Sequence, residues 1–147
     1  MVRKKCVEFM KVNKINHENI LYAFYFNVES ADEGLTFLSE DSDFIQVGLW
    51  NYLPNKVLPA HYHNEFERKS FRTCESIYVV SGKIKCNIYS KKGELIKSFV
   101  MKEKDMAIQL FGVHEYEILE KSLVIETKNG PYFGPELDRT RINVKKN

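Results

Sequence analysis

The chain has 147 residues, and 44% of them are hydrophobic, which is enough for one domain with a continuous core. Its 22 basic and 20 acidic residues are spread along the sequence and leave a formal charge of +2, so composition favours neither nucleic acid nor a membrane surface as a partner. Cys6, Cys74 and Cys86 have no CxxC spacing, which argues against a disulfide framework and indicates a reducing, cytoplasmic location. No stretch approaches the roughly 20 apolar residues that cross a bilayer.

Short runs of β-branched and aromatic residues recur with turn residues between them, which is typical of an antiparallel sandwich or barrel. After a weak helix candidate at 7–19, strands are predicted at 21–26, 44–53, 57–63, 76–80, 83–89, 94–101, 106–111, 115–119 and 123–128. The strand at 76–80 is expected to pair with 83–89 across a tight turn at Ser81 and Gly82. The prolines and glycines of 129–135 predict a loop laid over the barrel.

His61 and His63 fall in the predicted strand 57–63, where side-chain alternation places both imidazoles on one face. A later carboxylate, Glu75, and a third imidazole, His114, could complete a metal site with three histidines and one carboxylate. Glu75 shares a strand face with Ile77 and Val79, which predicts that it points inward. The alternative for His114 is a core histidine with satisfied hydrogen bonds.

These residues resemble the motifs of the cupin superfamily, a group of small β-barrels. The first cupin motif runs Gly, five residues, His-x-His, three or four residues, Glu, six residues, Gly. His61-Tyr62-His63 matches the histidine pair, and Glu75 followed by Gly82 matches the later half. The segments Gly112-Val113-His114 and Lys104-Asp105 match the second motif loosely.

The chain departs from the cupin pattern at two places. Asn55 stands where the leading glycine is expected, a mild change because asparagine tolerates a positive φ. Eleven residues separate His63 from Glu75, so Glu65 and Glu67 lie nearer the usual offset of the carboxylate. Glu75 is the preferred ligand because it begins a strand with the expected glycine spacing, and Glu65 and Glu67 remain alternatives.

The resemblance implies an all-β double-stranded β-helix, the cupin jelly-roll barrel, with little helix. Residues 1–147 would form a single domain with a core at about 44–128, on which the N-terminal strand segment and the C-terminal tail pack. His61, His63, Glu75 and His114 would bind a divalent metal, for which zinc, iron, manganese and nickel are all suitable. Cupins are commonly dimeric, so a homodimer is expected, with 21–26 as a candidate exchanged or interface strand.

Residues 125–138 also look like the end of a cupin subgroup that is met among surface-polysaccharide biosynthesis proteins. The expected function is therefore a metal-binding enzyme that acts on a small polar substrate, such as a sugar or sugar nucleotide, by the proton transfer of an isomerase or epimerase. Three alternatives stay open: a metal-free sugar-nucleotide epimerase or ketoisomerase, a non-catalytic ligand-binding cupin, and an Fe(II) dioxygenase. In the metal-free version His61 or His63 is the base, and Tyr52, Tyr62 or Tyr78 is a candidate acid.

Several other side chains are candidates for the substrate pocket. Gln46, Trp50 and Tyr52 share one face of the predicted strand 44–53 and line the pocket if that face is inward, although core packing is the alternative for Trp50. Arg68 and Arg72 could clamp a phosphate or carboxylate, since guanidinium groups bind these anions bidentately. The alternative is a solvated loop. His63, Tyr52 and Tyr78 are the predicted catalytic residues.

Overall fold

A computed structural model describes residues 10–145, and in this range the chain is built of antiparallel β-sheets with almost no helix. The strands are β1 (Asn13–His17), β2 (Ile20–Asn27), β3 (Gly34–Phe37), β4 (Gly48–Asn51), β5 (Glu75–Ser81), β6 (Lys83–Tyr89), β7 (Leu95–Lys102), β8 (Asp105–Gln109), β9 (Val113–Ile118) and β10 (Leu123–Lys128). One 3-10 turn covers Val28–Ser30, and one helical turn, α1, covers Pro135–Asp138. No helix within residues 10–145 has the length and apolar character needed to cross a membrane. The all-β prediction is confirmed.

Two sheets pack face to face. The larger has the strand order β1-β2-β8-β5-β10 and the smaller has the order β7-β6-β9, while β3 and β4 form a separate pair. The core between the sheets is built from the inward faces of alternating strands, which contribute Ile77 and Val79 from β5, Ile84 and Ile88 from β6, and Met101 from β7. Glu75 lies on the same side of β5 as Ile77 and Val79, as its alternation predicted.

A second core covers the opposite face of the larger sheet. Phe24, Phe26 and Ile108 pack there against Val47 and the half-buried Leu49. The residues around β3 and β4 therefore form a cover on this sheet rather than a strand within it. This is why the predicted strand 44–53 shrinks to β4: only a short part of it finds a partner strand, and that partner is β3.

The predicted hairpin between 76–80 and 83–89 is wrong, because β5 and β6 belong to different sheets. Gly82 turns the chain from one sheet to the other with a φ of +90°. A Cβ at this position would collide with the carbonyl oxygen of Lys121, so only glycine fits the corner. A turn that looks like a hairpin in the sequence is thus a crossing between layers.

The N-terminal region is more central than predicted. In the described part of the candidate helix 7–19, residues 13–17 form β1, whose Ile15 is buried in the core; residues 7–9 lie outside the described range. The sheet core therefore extends beyond the predicted range of 44–128. Strand β2 pairs with β1 on one edge and with β8 on the other. Both edges of β2 are thus paired within the described chain, and the exchange of 21–26 between two chains stays a prediction.

The two sheets are closed on one side and open on the other. On the closed side β1 lies against β7, and the ring of Tyr25 stacks on Phe99 with centroids 4.0 Å apart. On the open side β10 ends the larger sheet and β9 ends the smaller one. Within residues 10–145 the outer edges of β9 and β10 have no partner strand.

Candidate metal centre

Glu75 and His114 meet at the open side of the sandwich. Glu75 begins β5 in one sheet and His114 lies in β9 of the other, and Oε1 of Glu75 is 2.8 Å from Nε2 of His114. Glu75 is only 9% exposed, whereas the His114 side chain is 33% exposed. This separation is that of a hydrogen-bonded or ion-paired carboxylate and imidazole, two groups that are also common metal ligands.

Three buried polar atoms at this place have no hydrogen-bond partner among the described residues. They are Oε1 of Glu75, Oε1 of Gln109 and Nδ1 of His114. Gln109 of β8 lies directly opposite Glu75 in the strand register, so its amide belongs to the same cluster. Oε1 of Glu75 still lies 2.8 Å from Nε2 of His114, and this contact lowers the pKa of Glu75, so the atoms wholly without a polar contact are Oε1 of Gln109 and Nδ1 of His114. Because buried polar groups are nearly always paired, this cluster is incomplete as it stands.

The charge state of the cluster follows from its surroundings. Burial alone would raise the pKa of the Glu75 carboxyl group. The contact with His114 and its charge act in the opposite direction, as do Lys128 and Tyr116, and the net effect lowers this pKa below its ordinary value of 4.5. Burial, with the neighbouring Cys86 and Glu75, raises the pKa of the Tyr116 hydroxyl. At neutral pH Glu75 is thus an ionised acceptor and Tyr116 a protonated donor, side by side.

His61 and His63 lie away from a sheet, in the loop between β4 and β5. Their ring centroids are 5.2 Å apart, and both side chains are exposed. Nδ1 of His61 is 3.0 Å from the carbonyl oxygen of Pro59. The predicted strand 57–63 is wrong: Pro54 and Pro59 lack amide donors, and no strand within the described residues lies alongside. Residues 10–145 contain no group of three metal-ligating side chains close enough to hold an ion.

The alternative carboxylates lie in the same exposed loop. Glu67 is 3.6 Å from Lys69, and both Glu65 and Glu67 are exposed. Of the three carboxylates considered from the sequence, Glu75 is the one that contacts His114.

The face of 44–53 that carries Gln46, Trp50 and Tyr52 does not point inward, so the condition for these side chains to line a pocket between the sheets is not met. Nε2 of Gln46 donates to the carbonyl oxygens of Glu40 and Asp43 at 2.9 and 3.0 Å, so this amide braces a surface loop. Trp50 lies on β4 and is 65% exposed. Tyr52 lines a shallow surface depression with Lys56. Gln46 precedes the cover strand β4, Trp50 lies in it and Tyr52 follows it, so all three lie outside the space between the two sheets.

Tyr78 and the two arginines are also outside the cluster. Tyr78 lies one residue from Ile77 and Val79 on β5 and therefore points to the opposite face of the sheet from Glu75. The guanidinium of Arg68 lies over its near neighbour Phe66, 3.7 Å from the ring centroid. The guanidinium of Arg72 lies 5.2 Å from the ring centroid of Phe111. Both arginines are exposed, as the solvated-loop alternative expects.

Three residues of the cluster were missed in the sequence. Tyr116 follows His114 by two positions on β9, and Gln109 follows Ala107 by two on β8, so strand alternation would have placed both on the inward face. Lys128 pairs with Glu75 in the register of β10 and contributes a positive charge to it. The alternation within each strand indicates an inward side chain, but only the pairing of the strands shows that these side chains lie near Glu75 and His114.

The chain was compared with models of protein families, with curated proteins and with solved structures, and none of the three comparisons gave a significant match.

Proposed function

We propose that this chain is a metal-binding protein of the cupin type that acts as an enzyme on a small polar substrate, such as a sugar or sugar nucleotide. The observation that carries the proposal is the pair of Glu75 and His114, which meet on the inward faces of two facing sheets with Oε1 of Glu75 2.8 Å from Nε2 of His114. Together with His61 and His63 they would form the donor set of three imidazoles and one carboxylate.

Two backbone features support a cupin-type fold. Asn55 and Lys104 occupy the positions where the cupin motifs have glycine, and both have a positive φ, of 68° and 70°. Non-glycine residues rarely adopt this conformation, so the backbone has kept the shape for which the motif uses glycine. Gly82, at the end of the first motif, is the corner between the sheets.

The residues of the cluster supply an anionic ligand and a hydrogen-bond donor. A metal held there would polarise a carbonyl or hydroxyl oxygen of the substrate. Glu75, which is ionised at neutral pH, would be a metal ligand, and the buried hydroxyl of Tyr116, which stays protonated, would donate a hydrogen bond to the substrate. Lys128, whose Nζ lies 3.0 Å from Oε1 of Glu126, adds a positive charge beside Glu75. Polarisation of a substrate oxygen would acidify a neighbouring C–H bond, which is the step that an isomerase or epimerase requires.

Metal binding can be tested on tag-free protein by elemental analysis before and after reconstitution with zinc, iron, manganese or nickel. We expect Glu75→Gln and His114→Gln each to weaken binding by at least about 10–100-fold, the loss that removal of an outer hydrogen-bond partner already causes. Glu117→Gln and His17→Gln are matched controls, since Glu117 is an exposed residue of β9 and His17 lies on the distant β1. Wild-type protein that stays metal-free after reconstitution would contradict the proposal.

Substrate class can be tested by thermal-shift screening of nucleotide sugars, followed by mass spectrometry of the products. An enzyme gives an isomerised product, and a non-catalytic binding protein gives stabilisation without one. Gln109→Leu keeps the size of the side chain but removes the unpartnered Oε1 and the Nε2 that donates to the carbonyl oxygen of Phe111, and we expect it to lower turnover.

A metal-free version is favoured by one specific observation. His114 and Glu75 are in direct contact, as in an acid–base dyad in which a carboxylate orients an imidazole. In this version His114 and Tyr116 carry the proton transfer, in place of the exposed His61, His63, Tyr52 and Tyr78. Activity that survives exhaustive chelation but disappears in His114→Gln would select this version over the metal-dependent one.

A further inference from the structure

Gln109, the last residue of β8, is a buried amide whose oxygen has no hydrogen-bond partner within residues 10–145. Its side chain belongs to a residue that is only 6% exposed, and Oε1 itself is buried. Leaving a buried acceptor unpaired costs free energy, and protein interiors contain few such atoms. The unpaired oxygen therefore indicates a hydrogen-bond donor that the described residues do not supply.

The amide of Gln109 is held in one orientation. Nε2 donates a hydrogen bond to the carbonyl oxygen of Phe111, and a flipped amide would instead direct its own oxygen at this carbonyl. Phe111 is itself fixed, because its N–H and that of Leu110 both donate to the carbonyl oxygen of Tyr22, at 3.0 and 2.9 Å. The rings of Phe111 and Tyr22 also pack edge to face, with centroids 5.1 Å apart. Oε1 of Gln109 is thus a preorganised acceptor.

This acceptor belongs to the cluster of Glu75 and His114. Gln109 and Glu75 are direct partners in the register of β8 and β5, so their side chains lie side by side on the inward face. The hydroxyl of Tyr116 and Nε2 of His114 interact with Glu75, and neither donates to Oε1 of Gln109. The unpaired oxygen therefore lies beside the residues that the proposed function assigns to the metal and the substrate.

We infer that Gln109 determines specificity by accepting a hydrogen bond from a hydroxyl group of the substrate, such as a ring hydroxyl of a sugar. The inference rests on the proposed function and names the substrate group that the same site recognises. A carboxylate or a phosphodiester has no proton to donate at neutral pH. An ammonium group donates but cannot accept the hydrogen bond that Tyr116 offers. A hydroxyl does both, so it matches this pair of side chains.

The selectivity arises from the cost of leaving Oε1 unpaired. A ligand that fills the site without a donor shields the buried oxygen from water and gives it no partner in return. A site built to bind a hydroxyl therefore discriminates against the analogue that lacks it. We expect loss of this one hydroxyl to weaken binding by about 5–150-fold.

Sugar nucleotides and their deoxyfluoro analogues test the inference. The probes are UDP-glucose, UDP-galactose and GDP-mannose, and their affinities are measured by isothermal titration calorimetry. In a deoxyfluoro analogue one ring hydroxyl is replaced by fluorine, which is close to it in size but has no proton to donate. For the wild-type chain we expect one analogue of a bound sugar nucleotide to bind about 5–150-fold more weakly than its parent.

Two variants connect that hydroxyl to Gln109. Gln109→Leu and Gln109→Met both remove the amide oxygen, so the parent compound should lose affinity and the weakly binding analogue should now equal it. A side chain that only supports the fold would lower the affinity for parent and analogue alike, which makes the coupling between residue and hydroxyl decisive. Gln46→Leu is the matched control, since Gln46 braces a surface loop, and it should keep the wild-type pattern. If neither variant folds, the wild-type analogue series still decides.

Metal content and product formation are measured separately, so the two proposals can fail separately. A chain that binds no metal and forms no product, but whose Gln109 is coupled to one hydroxyl, supports this inference and refutes the proposed function. A chain that binds metal and turns over, but penalises no analogue or keeps the penalty in Gln109→Leu and Gln109→Met, overturns this inference and leaves the proposed function standing. Binding of none of the three sugar nucleotides also overturns it.

Discussion

Replacing Glu75 with glutamine tests the electrostatics of the cluster in the metal-free protein. The change keeps the shape of the side chain but removes its charge, so His114 and Tyr116 lose an ionised partner. A hydrogen bond to a charged group contributes about 1.5–3 kcal/mol, and Glu75 is nearly buried, so solvent screens this contribution little. We expect Glu75→Gln to lower the free energy of unfolding by about 1.5–3 kcal/mol at pH 7.

The lowered pKa of Glu75 determines how the effect of Glu75→Gln on stability changes with pH. The folded protein lowers the pKa of Glu75 below its ordinary value of 4.5, so the unfolded chain binds the proton first as the pH falls. The stabilisation by Glu75 is complete above pH 4.5 and is lost as the pH falls through the folded pKa. The difference between wild-type and Glu75→Gln in the free energy of unfolding should therefore shrink toward zero as the pH falls below 4.5.

Urea denaturation followed by circular dichroism, in the presence of a chelator and from pH 7 to pH 3, measures both effects. Glu117→Gln is the control, because Glu117 is exposed and lies 3.8 Å from Lys85, and such surface pairs contribute about 0–1 kcal/mol. A loss of stability in Glu75→Gln no larger than that in Glu117→Gln, or one that does not change below pH 4.5, would contradict this prediction.

Two further predictions concern the supports of the site. Gly82→Ala should destabilise the fold by about 1–3 kcal/mol more than the control Gly34→Ala. Both positions have a positive φ, but of the two only a Cβ at Gly82 would collide with other atoms. Equal losses of stability in urea denaturation would contradict this prediction. Asn129→Ala should cost about 1–3 kcal/mol and speed amide exchange at Cys74, whose N–H Asn129 accepts at 2.7 Å. The control Asn51→Ala, which removes an exposed bond, should leave the Cys74 amide unchanged.

The parts of the fold that could be predicted from the sequence are those that depend on local alternation. The strand 83–89 matches β6 because its alternating apolar side chains mark a buried face, and 123–128 matches β10 because it is rich in β-branched residues. The inward direction of Glu75 followed from Ile77 and Val79 by the same argument. Positive φ at Asn55 was anticipated from the tolerance of asparagine for this conformation.

The parts that could not be predicted depend on which strands are neighbours. Residues 57–63 have the composition of a strand, but a strand exists only when another edge pairs with it, and the described chain offers these residues none. Gln46 was expected in a pocket because a buried amide needs partners, yet it found them in the carbonyl oxygens of its own loop. Gly82 looked like a hairpin turn because the sequence does not show that β5 and β6 lie in different sheets.

The open side of the sandwich brings an unpaired strand edge and a cluster of buried polar atoms to one place. Within residues 10–145 the edges of β9 and β10 have no partner strand, and Oε1 of Gln109 and Nδ1 of His114 are buried without a hydrogen-bond partner. Buried polar groups are nearly always paired, so a bound metal or substrate that supplied partners to these atoms would also stabilise the fold. Under the proposed function, ligand affinity and folding stability are therefore linked, and ligand binding should raise the free energy of unfolding.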